Sequence, residues 1–335
     1  MTQQRRASMA DVAELAGVST QTVSRVANGS PRVDPATRAR VEAAMAQAGY
    51  RVHRAARALR TGRTGIVGAV VSTLATVGNS MLLEAVVDEA SARGYAVAVA
   101  RIGEGGPAEA FERLRDQGVD GAIVVNEASA LLRHTELPTD LRLAVVDSPP
   151  DDRYAGVETA HAAGSAAATA HLRELGHRVI AHIAGPESSY AAAERERGWR
   201  ETLAAAGLKP GALLRGAWDS ASGYQAGLQL LANIDASDPV TAVVVANDQM
   251  ALGVLRAASE LGILVPEQLS VVGFDDVADA ANFTPALTTV RQRFDLLGQR
   301  AVAAVLDGAE AGSREVIDAP LVVRGSSAAP FVQPA

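Results

Sequence analysis

The 335-residue chain contains no cysteine, which excludes a disulfide-stapled fold and a thiolate metal site and fits a reducing compartment. No apolar run approaches the roughly 20 residues of a membrane span, and the first ten residues lack the apolar core of a signal peptide. A cytoplasmic protein with no membrane partner is expected. Lysine is almost absent too: Lys209 stands alone, so nearly all positive charge is arginine. Also missing are a phosphate-cradling glycine loop, a zinc-ligand signature and the strained serine turn of hydrolases. His171, His177 and His182 lack the helical spacing with a glutamate base, so they read as core or surface histidines. Asp275 and Asp276 are adjacent, and neighbouring side chains at a strand end point apart, unlike the carboxylate pair that flanks a glycosidic bond. The expectation is a protein that is not an enzyme and uses no metal or cofactor.

What is present begins near the N-terminus. Ser8 followed three residues later by Asp11 is a helix-start signal, with Val12, Leu15 and Ala16 at helical spacing behind it. Gly17 supplies a turn, Ser19 caps a second helix from Thr20 to Ala27, and Asn28-Gly29 ends it. Two short helices about a glycine turn make a helix-turn-helix. With Val23 and Val26 turned inward, Thr20, Gln21, Ser24 and Arg25 face outward. Glutamine can pair with adenine, arginine with guanine, and hydroxyls with phosphates or bases, as a helix in the major groove requires. A helical hairpin with a merely solvated outer face is the alternative. Asp34-Pro35 then opens a third helix whose stripe of Val41, Ala44, Met45 and Ala48, closed by Gly49, covers the first two.

Charge is unevenly spread. Eleven arginines and four acidic residues lie through Arg63, leaving 20 basic and 34 acidic residues in the remainder. The overall charge of −7 therefore hides a basic head on an acidic body, and DNA affinity depends on the local footprint.

The run Asp11-Val12-Ala13, Gly17-Val18-Ser19, Thr22-Val23-Ser24-Arg25-Val26, Asn28, Thr37-Arg38 and Val41-Glu42-Ala43-Ala44-Met45 resembles the DNA-binding headpiece of the LacI/GalR family of bacterial transcription repressors. The resemblance extends through Ile183-Ala184-Gly185-Pro186, Arg195 before Gly198-Trp199, Val245 to Gly253, Ser270 to Asp276, Pro285 to Thr289 and Leu296-Leu297-Gly298. It implies Ser19, Thr20, Gln21, Thr22, Ser24, Arg25 and Asn28 as headpiece contacts to palindromic double-stranded operator DNA. Arg51 to Arg63 favours helix at Ala55, Ala56, Ala58 and Leu59 but has too little apolar surface to hold it alone. In the family this segment is a hinge helix in the minor groove, with Leu59 at the position of the wedging leucine and Arg54, Ala56 and Arg57 beside it. A charged flexible linker is the alternative reading of its composition.

From Gly65 onward strands and helices alternate, which predicts βαβ units and parallel sheets covered on both faces. Strands are expected at Ile66 to Val71, Tyr95 to Ala100, Gly121 to Val125, Leu143 to Val146, Val179 to Ile183, Ala242 to Ala246 and Leu269 to Phe274, with short ones near Val316 and Leu321. The fold class expected is α/β, an all-α helix-turn-helix headpiece followed by two doubly wound parallel-sheet lobes resembling periplasmic sugar-binding proteins. The expected divisions are headpiece 1–50, hinge 51–63, one lobe of 64–159 with 291–319, and a second of 160–290 with 320–330.

Open parallel sheets bind ligands at the carboxyl ends of their strands, here Asn126, Asp147, Asn247-Asp248 and Asp275-Asp276. Carboxylates, amides and an arginine fork together can read sugar hydroxyls. The resemblance implies Asp147, Arg195, Asn247 and Asp275 bonded to a sugar effector, Trp218 stacked on it, and Asn126, Gln292 and Phe294 along the floor. Gly78 and Asn79 stand where the family has an apolar wall, Thr159 at an aromatic position and Ala191 at a serine; Asn79 is counted with the lining. Against these readings, Asp248 and Asp276 could cap the next helices, and Arg195 and Arg197 could pair with Glu194 and Glu196. Trp199, beside Gly198, reads as core. A galactoside-released repressor acting as a homodimer is expected, with no leucine heptads after Val323 to build a larger assembly. An activator, a purine-dependent regulator and a pure sugar-binding protein are the alternatives.

Overall fold

The computed structural model describes residues 7–27, 30–50, 62–232 and 240–330. The chain divides into two compact units, Met1–Gly65 and Ile66–Ala335.

In the first unit, α1 (Met9–Ala16), α2 (Thr20–Ala27) and α3 (Pro35–Ala48) enclose Val12, Ala13, Ala16, Val23, Val26, Val41, Ala44 and Tyr50. The caps are local and complete. Ser8 and Asp11 form a reciprocal capping box, Thr22 N donates to Ser19 Oγ at 3.2 Å, and Thr37 N donates to Asp34 Oδ1 at 3.0 Å. Gly17 takes φ 62 between α1 and α2, the left-handed turn that glycine adopts without strain. Leu15 departs from expectation: it is exposed, because Val12, Ala13 and Ala16 form the face turned to the other helices. Met45 and Ala48 are only partly buried at the edge of that core.

The second unit holds two six-stranded sheets. The first is ordered β11-β5-β4-β3-β1-β2, from β1 (Ile66–Val71), β2 (Ala96–Arg101), β3 (Gly121–Val124), β4 (Arg142–Val146), β5 (Ala155–Thr159) and β11 (Arg314–Ile317), all parallel. The second is ordered β12-β10-β9-β8-β6-β7, from β6 (Ile180–Ala184), β7 (Leu213–Arg215), β8 (Ala242–Val245), β9 (Ser270–Asp275), β10 (Thr288–Arg291) and β12 (Leu321–Val322), with only β12 antiparallel. Central strands such as β1 and β8 are nearly continuous apolar runs rich in valine because both faces are buried. Three strands were not expected. β5 carries Gly156 and Glu158 and buries only alternate residues, β7 is a three-residue edge, and β10 is a four-residue strand lying parallel beside β9.

Helices cover both faces. α4 (Val77–Ala92) packs with α10 (Phe294–Ala303) on the first sheet, and α5 (Gly106–Asp116) lies on its other side. On the second sheet, α6 (His161–Glu174) pairs with α7 (Tyr190–Ala205), and α8 (Ser220–Ala232) with α9 (Asp248–Glu260). Trp199 is core: it is 1% exposed, stacks on His182 and donates from Nε1 to Ile180 O at 3.2 Å. His182 is core too, its pKa pushed down to about 4 by burial, and His177 lies between Ser270 and Thr241. The chain passes between the sheets after β5, after β10 and after β11. No helix among the described residues is long and apolar enough to cross a membrane.

Candidate functional site

The strand ends converge on a cleft of about 380 Å³, counting space open to solvent, lined from both sheets. Asn126 follows β3 and Asp147 follows β4; Asn247 follows β8 and Asp275 ends β9. Arg195 from α7, Trp218 from the loop after β7, and Gln292 from the crossing after β10 complete the charged and aromatic side. Thr76, Gly78, Asn79 and Ala191 line the rest.

Arg195 is the hub. It is 4% exposed, donates from Nε to His161 Nδ1 at 3.3 Å and from Nη2 to Gln292 Oε1 at 3.1 Å, and bonds the Ala246 carbonyl. Its Nη2 lies 3.6 Å from Asp275 Oδ1, and its guanidinium sits 3.7 Å from the centre of the Phe274 ring. Arg197 turns the other way, pairing with Glu194 and Glu201 on the exposed face of α7.

Asp147 faces Arg195 through His161, whose Nε2 lies 2.9 Å from Asp147 Oδ1. Guanidinium only donates, so His161 Nδ1 accepts from Arg195, which leaves the ring proton on Nε2, close to the carboxylate but without an aligned acceptor among the described residues. Thr159 N also donates to Asp147 Oδ1, at 3.0 Å. Burial works to raise the Asp147 pKa, but His161, the Thr159 amide and Arg195 together hold it below the ordinary carboxylate value. His161 was not anticipated from the sequence; it opens α6 directly after β5, a strand with too weak a pattern to announce it.

On the opposite wall the amides are oriented by a carbonyl. Asn79 Nδ2 donates to Thr73 O at 3.0 Å, so its Oδ1 faces Asn126 and accepts from Nδ2 at 2.6 Å. Asn126 Oδ1 is thereby left without a partner among the described residues. Asn247 caps α9, accepting from Met250 N at 2.9 Å while its Nδ2 donates to the Trp218 carbonyl at 3.0 Å.

The other candidates fall elsewhere. Asp248 does not cap α9: it is fully buried, accepting from Thr289 Oγ1 at 2.5 Å and Val277 N at 2.9 Å. Asp276 points away from the cleft to Arg291 and Arg324. Phe294 is not on the lining; opening α10, it joins the core of the first sheet, its ring behind Gly78. Thr159 is buried but likewise off the lining. Beside the cleft, Tyr190 of α7 donates to Glu158 Oε2 of β5 at 2.8 Å, and Arg314 of β11 binds both, linking the two sheets' lobes.

In the first unit, Ser19, Thr20, Gln21 and Arg25 are exposed, and Thr22 and Ser24 half-buried, along one side of α2. Asn28, Arg54, Ala56, Arg57 and Leu59 lie outside the described residues.

A helix-turn-helix unit on the same chain as a two-lobed, small-molecule cleft defines a ligand-responsive DNA-binding protein. Residues 8–52 match the model for bacterial regulatory proteins of the lacI family, and residues 169–327 that for a periplasmic binding protein-like domain. The lactose operon repressor of Escherichia coli (strain K12) is 36% identical over 337 residues, covering 97% of this chain and 92% of that protein. Among solved structures, the lac repressor dimer bound to operator and the anti-inducer ONPF superimposes with TM-score 0.83 at 34% identity, covering 97% of this chain and 100% of that one. A complex of the transcriptional regulator CelR with cellobiose gives TM-score 0.68 at 33% identity, covering 96% and 100%. The chain belongs to the lacI family of bacterial regulatory proteins.

Proposed function

We propose that this protein is a cytoplasmic transcriptional repressor, not an enzyme, that binds a palindromic operator as a homodimer and releases it when a galactoside-like sugar fills the cleft. One observation carries the ligand reading. Five non-glycine residues among those described have positive φ, and four of them, Asn126, Asp147, Trp218 and Asp275, line this cleft. Such backbone costs about 1–3 kcal/mol per residue and persists where surrounding structure enforces a functional geometry. The chemistry so held is two carboxylates, an amide and an indole, to which Asn247 adds an amide and Arg195 a guanidinium fork, a set suited to several hydroxyls around one apolar ring face. The sugars in the names of the relatives agree with it.

In this reading Asp147, Arg195, Asn247 and Asp275 bond the sugar, Trp218 lies against it, and Asn79, Asn126 and Gln292 complete the walls. The divisions proposed are headpiece 1–50, linker 51–63, and lobes of 64–159 with 291–319 and 160–290 with 320–330. Ser19, Thr20, Gln21, Thr22, Ser24, Arg25 and Asn28 meet DNA, and Arg54, Ala56, Arg57 and Leu59 extend the contact into the minor groove. A sugar shifts the lobes only by its differential affinity for one arrangement, and that shift separates the paired linkers. The test is titration of operator complexes with galactosides: release by a sugar is expected, and release by a purine alone would overturn the ligand class.

Two further outcomes follow from particular contacts. Arg25→Ala is expected to cost roughly 1–3 kcal/mol of operator affinity and to relax preference at one base position, read by gel shift across operator variants. An equal loss on all sequences would make Arg25 a phosphate contact. Tyr190→Phe removes the hydroxyl joining Glu158 and Arg314 across the lobes without touching the cleft lining. A hydrogen bond of this kind is worth about 0.5–1.5 kcal/mol, so calorimetry should record sugar affinity shifted by a few-fold. Unchanged affinity would mean that the contact does not bias the lobe arrangement.

A further inference from the structure

Trp218 carries two local costs at once. Its backbone sits at φ 70, and its side chain, 8% exposed on the cleft lining, has an indole Nε1 with no hydrogen-bond partner among the described residues. A buried N–H left unpaired is uncommon and costly. The chain's other tryptophan shows the ordinary solution, Trp199 Nε1 donating to a backbone carbonyl at 3.2 Å.

The neighbours described do not supply the missing acceptor. Asn247 Oδ1 is engaged with Met250 N, and Arg195, whose guanidinium lies 5.6 Å from the indole centre, has only donors to offer. Nor has the ring room on its far side. A Cβ at Gly185 would run into its six-membered ring, so glycine there lets the β6 end abut the indole. The indole is therefore held in one place on the lining, its donor unsatisfied by protein.

We propose that Trp218 is a hydrogen-bond donor to the effector, and not only a flat surface against it: Nε1–H pairs with an oxygen of the bound ligand. The assignment rests on the sugar reading of the cleft and sharpens it, requiring a ligand oxygen at the indole edge in addition to those read by Asp275 and Arg195. A ligand lacking that oxygen leaves the donor buried and unpaired, the arrangement that gives binding sites their steepest discrimination.

The protein has only two tryptophans, so a ¹⁵N-labelled full-length sample shows two indole N–H signals, with Trp218→Phe identifying one. On titration with methyl β-D-galactopyranoside, the Trp218 proton is expected to move downfield and to exchange with solvent more slowly, while that of Trp199 stays in place. One monodeoxy analogue of this galactoside is expected to bind the wild type about 10-fold more weakly than the parent, and to bind Trp218→Phe with no such loss. The assignment is overturned if the galactoside binds by calorimetry while the Trp218 proton stays put or moves only upfield, as stacking alone would move it. It is also overturned if every analogue loses the same factor in both proteins. If no galactoside binds but adenine or hypoxanthine does, the sugar reading fails, and the Trp218 proton followed with the purine still decides the donor assignment by the same shift.

Discussion

Arg195→Ala is expected to leave the protein on its operator at sugar concentrations that release the wild type. Arg195 ties the cleft together: it holds Gln292, His161 and the Ala246 carbonyl, and lies 3.6 Å from Asp275. Its removal takes away a ligand donor and leaves the Asp275 and Asp147 carboxylates, both nearly fully buried, without their shared cation. Breaking a buried pair from one side costs about 3–5 kcal/mol, so a lower melting temperature should accompany the lost response. Asp275→Asn separates the two effects, because it keeps the side-chain volume and removes the charge. Hydrogen bonds to charged groups are worth about 1.5–3 kcal/mol, which corresponds to roughly 10- to 100-fold weaker sugar binding. Operator affinity is expected to hold in both variants, since α1, α2 and α3 are untouched. Fluorescence titration of operator complexes with galactosides checks this. Release at wild-type sugar concentrations would remove these residues from the site, and loss of operator binding by well-folded Asp275→Asn would make it structural.

Asp248→Asn is expected to stabilise the protein at neutral and mildly alkaline pH. Asp248 is fully buried at the start of α9, and burial, with Asp275 and Asp276 nearby, pushes its pKa up to about 8. The unfolded chain ionises it near the ordinary value of 3.8. Below that value both states are protonated and the group contributes no pH dependence. As pH rises from about 4 to about 8 the unfolded state releases its proton while the folded state keeps it. Stability therefore falls across this window, by at most about 1.4 kcal/mol per pH unit. Asparagine keeps the geometry: its oxygen can accept from Val277 N and its amide can donate to Thr289 Oγ1, replacing the two bonds at 2.9 and 2.5 Å. Asp147 has the opposite sign, a lowered pKa whose contribution is lost only as pH falls below the ordinary carboxylate range. Melting curves should show Asp248→Asn well above wild type at pH 8 and the two converging near pH 4. Parallel pH profiles would show that Asp248 is ionised in the folded protein and that its environment pays for the charge.

The headpiece was readable because its signals are local. The Ser8–Asp11 box, the Gly17 turn, the Ser19 cap and Asp34-Pro35 act over two to four residues, and each forms as its spacing requires. The two-lobed α/β architecture was readable for a similar reason, since β-branched runs alternating with helices leave few topologies open. Strand ends then pointed to Asn126, Asp147, Asn247 and Asp275, all of which line the cleft. Sequence could not decide which way a side chain turns once its backbone is in place. Arg195 and Arg197 share a helix and a charge, yet one is drawn 97 residues along the chain to Gln292 and the other pairs with its neighbours on the surface. Asp248 was open between a cleft residue and a cap and bonds Thr289 instead, while Phe294 looked like a floor and belongs to the first sheet's core. His161 entered the cleft network unannounced. The identities of the site residues are written in short stretches of chain, whereas their partners are set by the packing of two sheets that join distant segments, as β11 pairs with β5 and brings Arg314 to Glu158, 156 residues away in the chain. Local spacing carries no information about contacts made only when those distant segments meet.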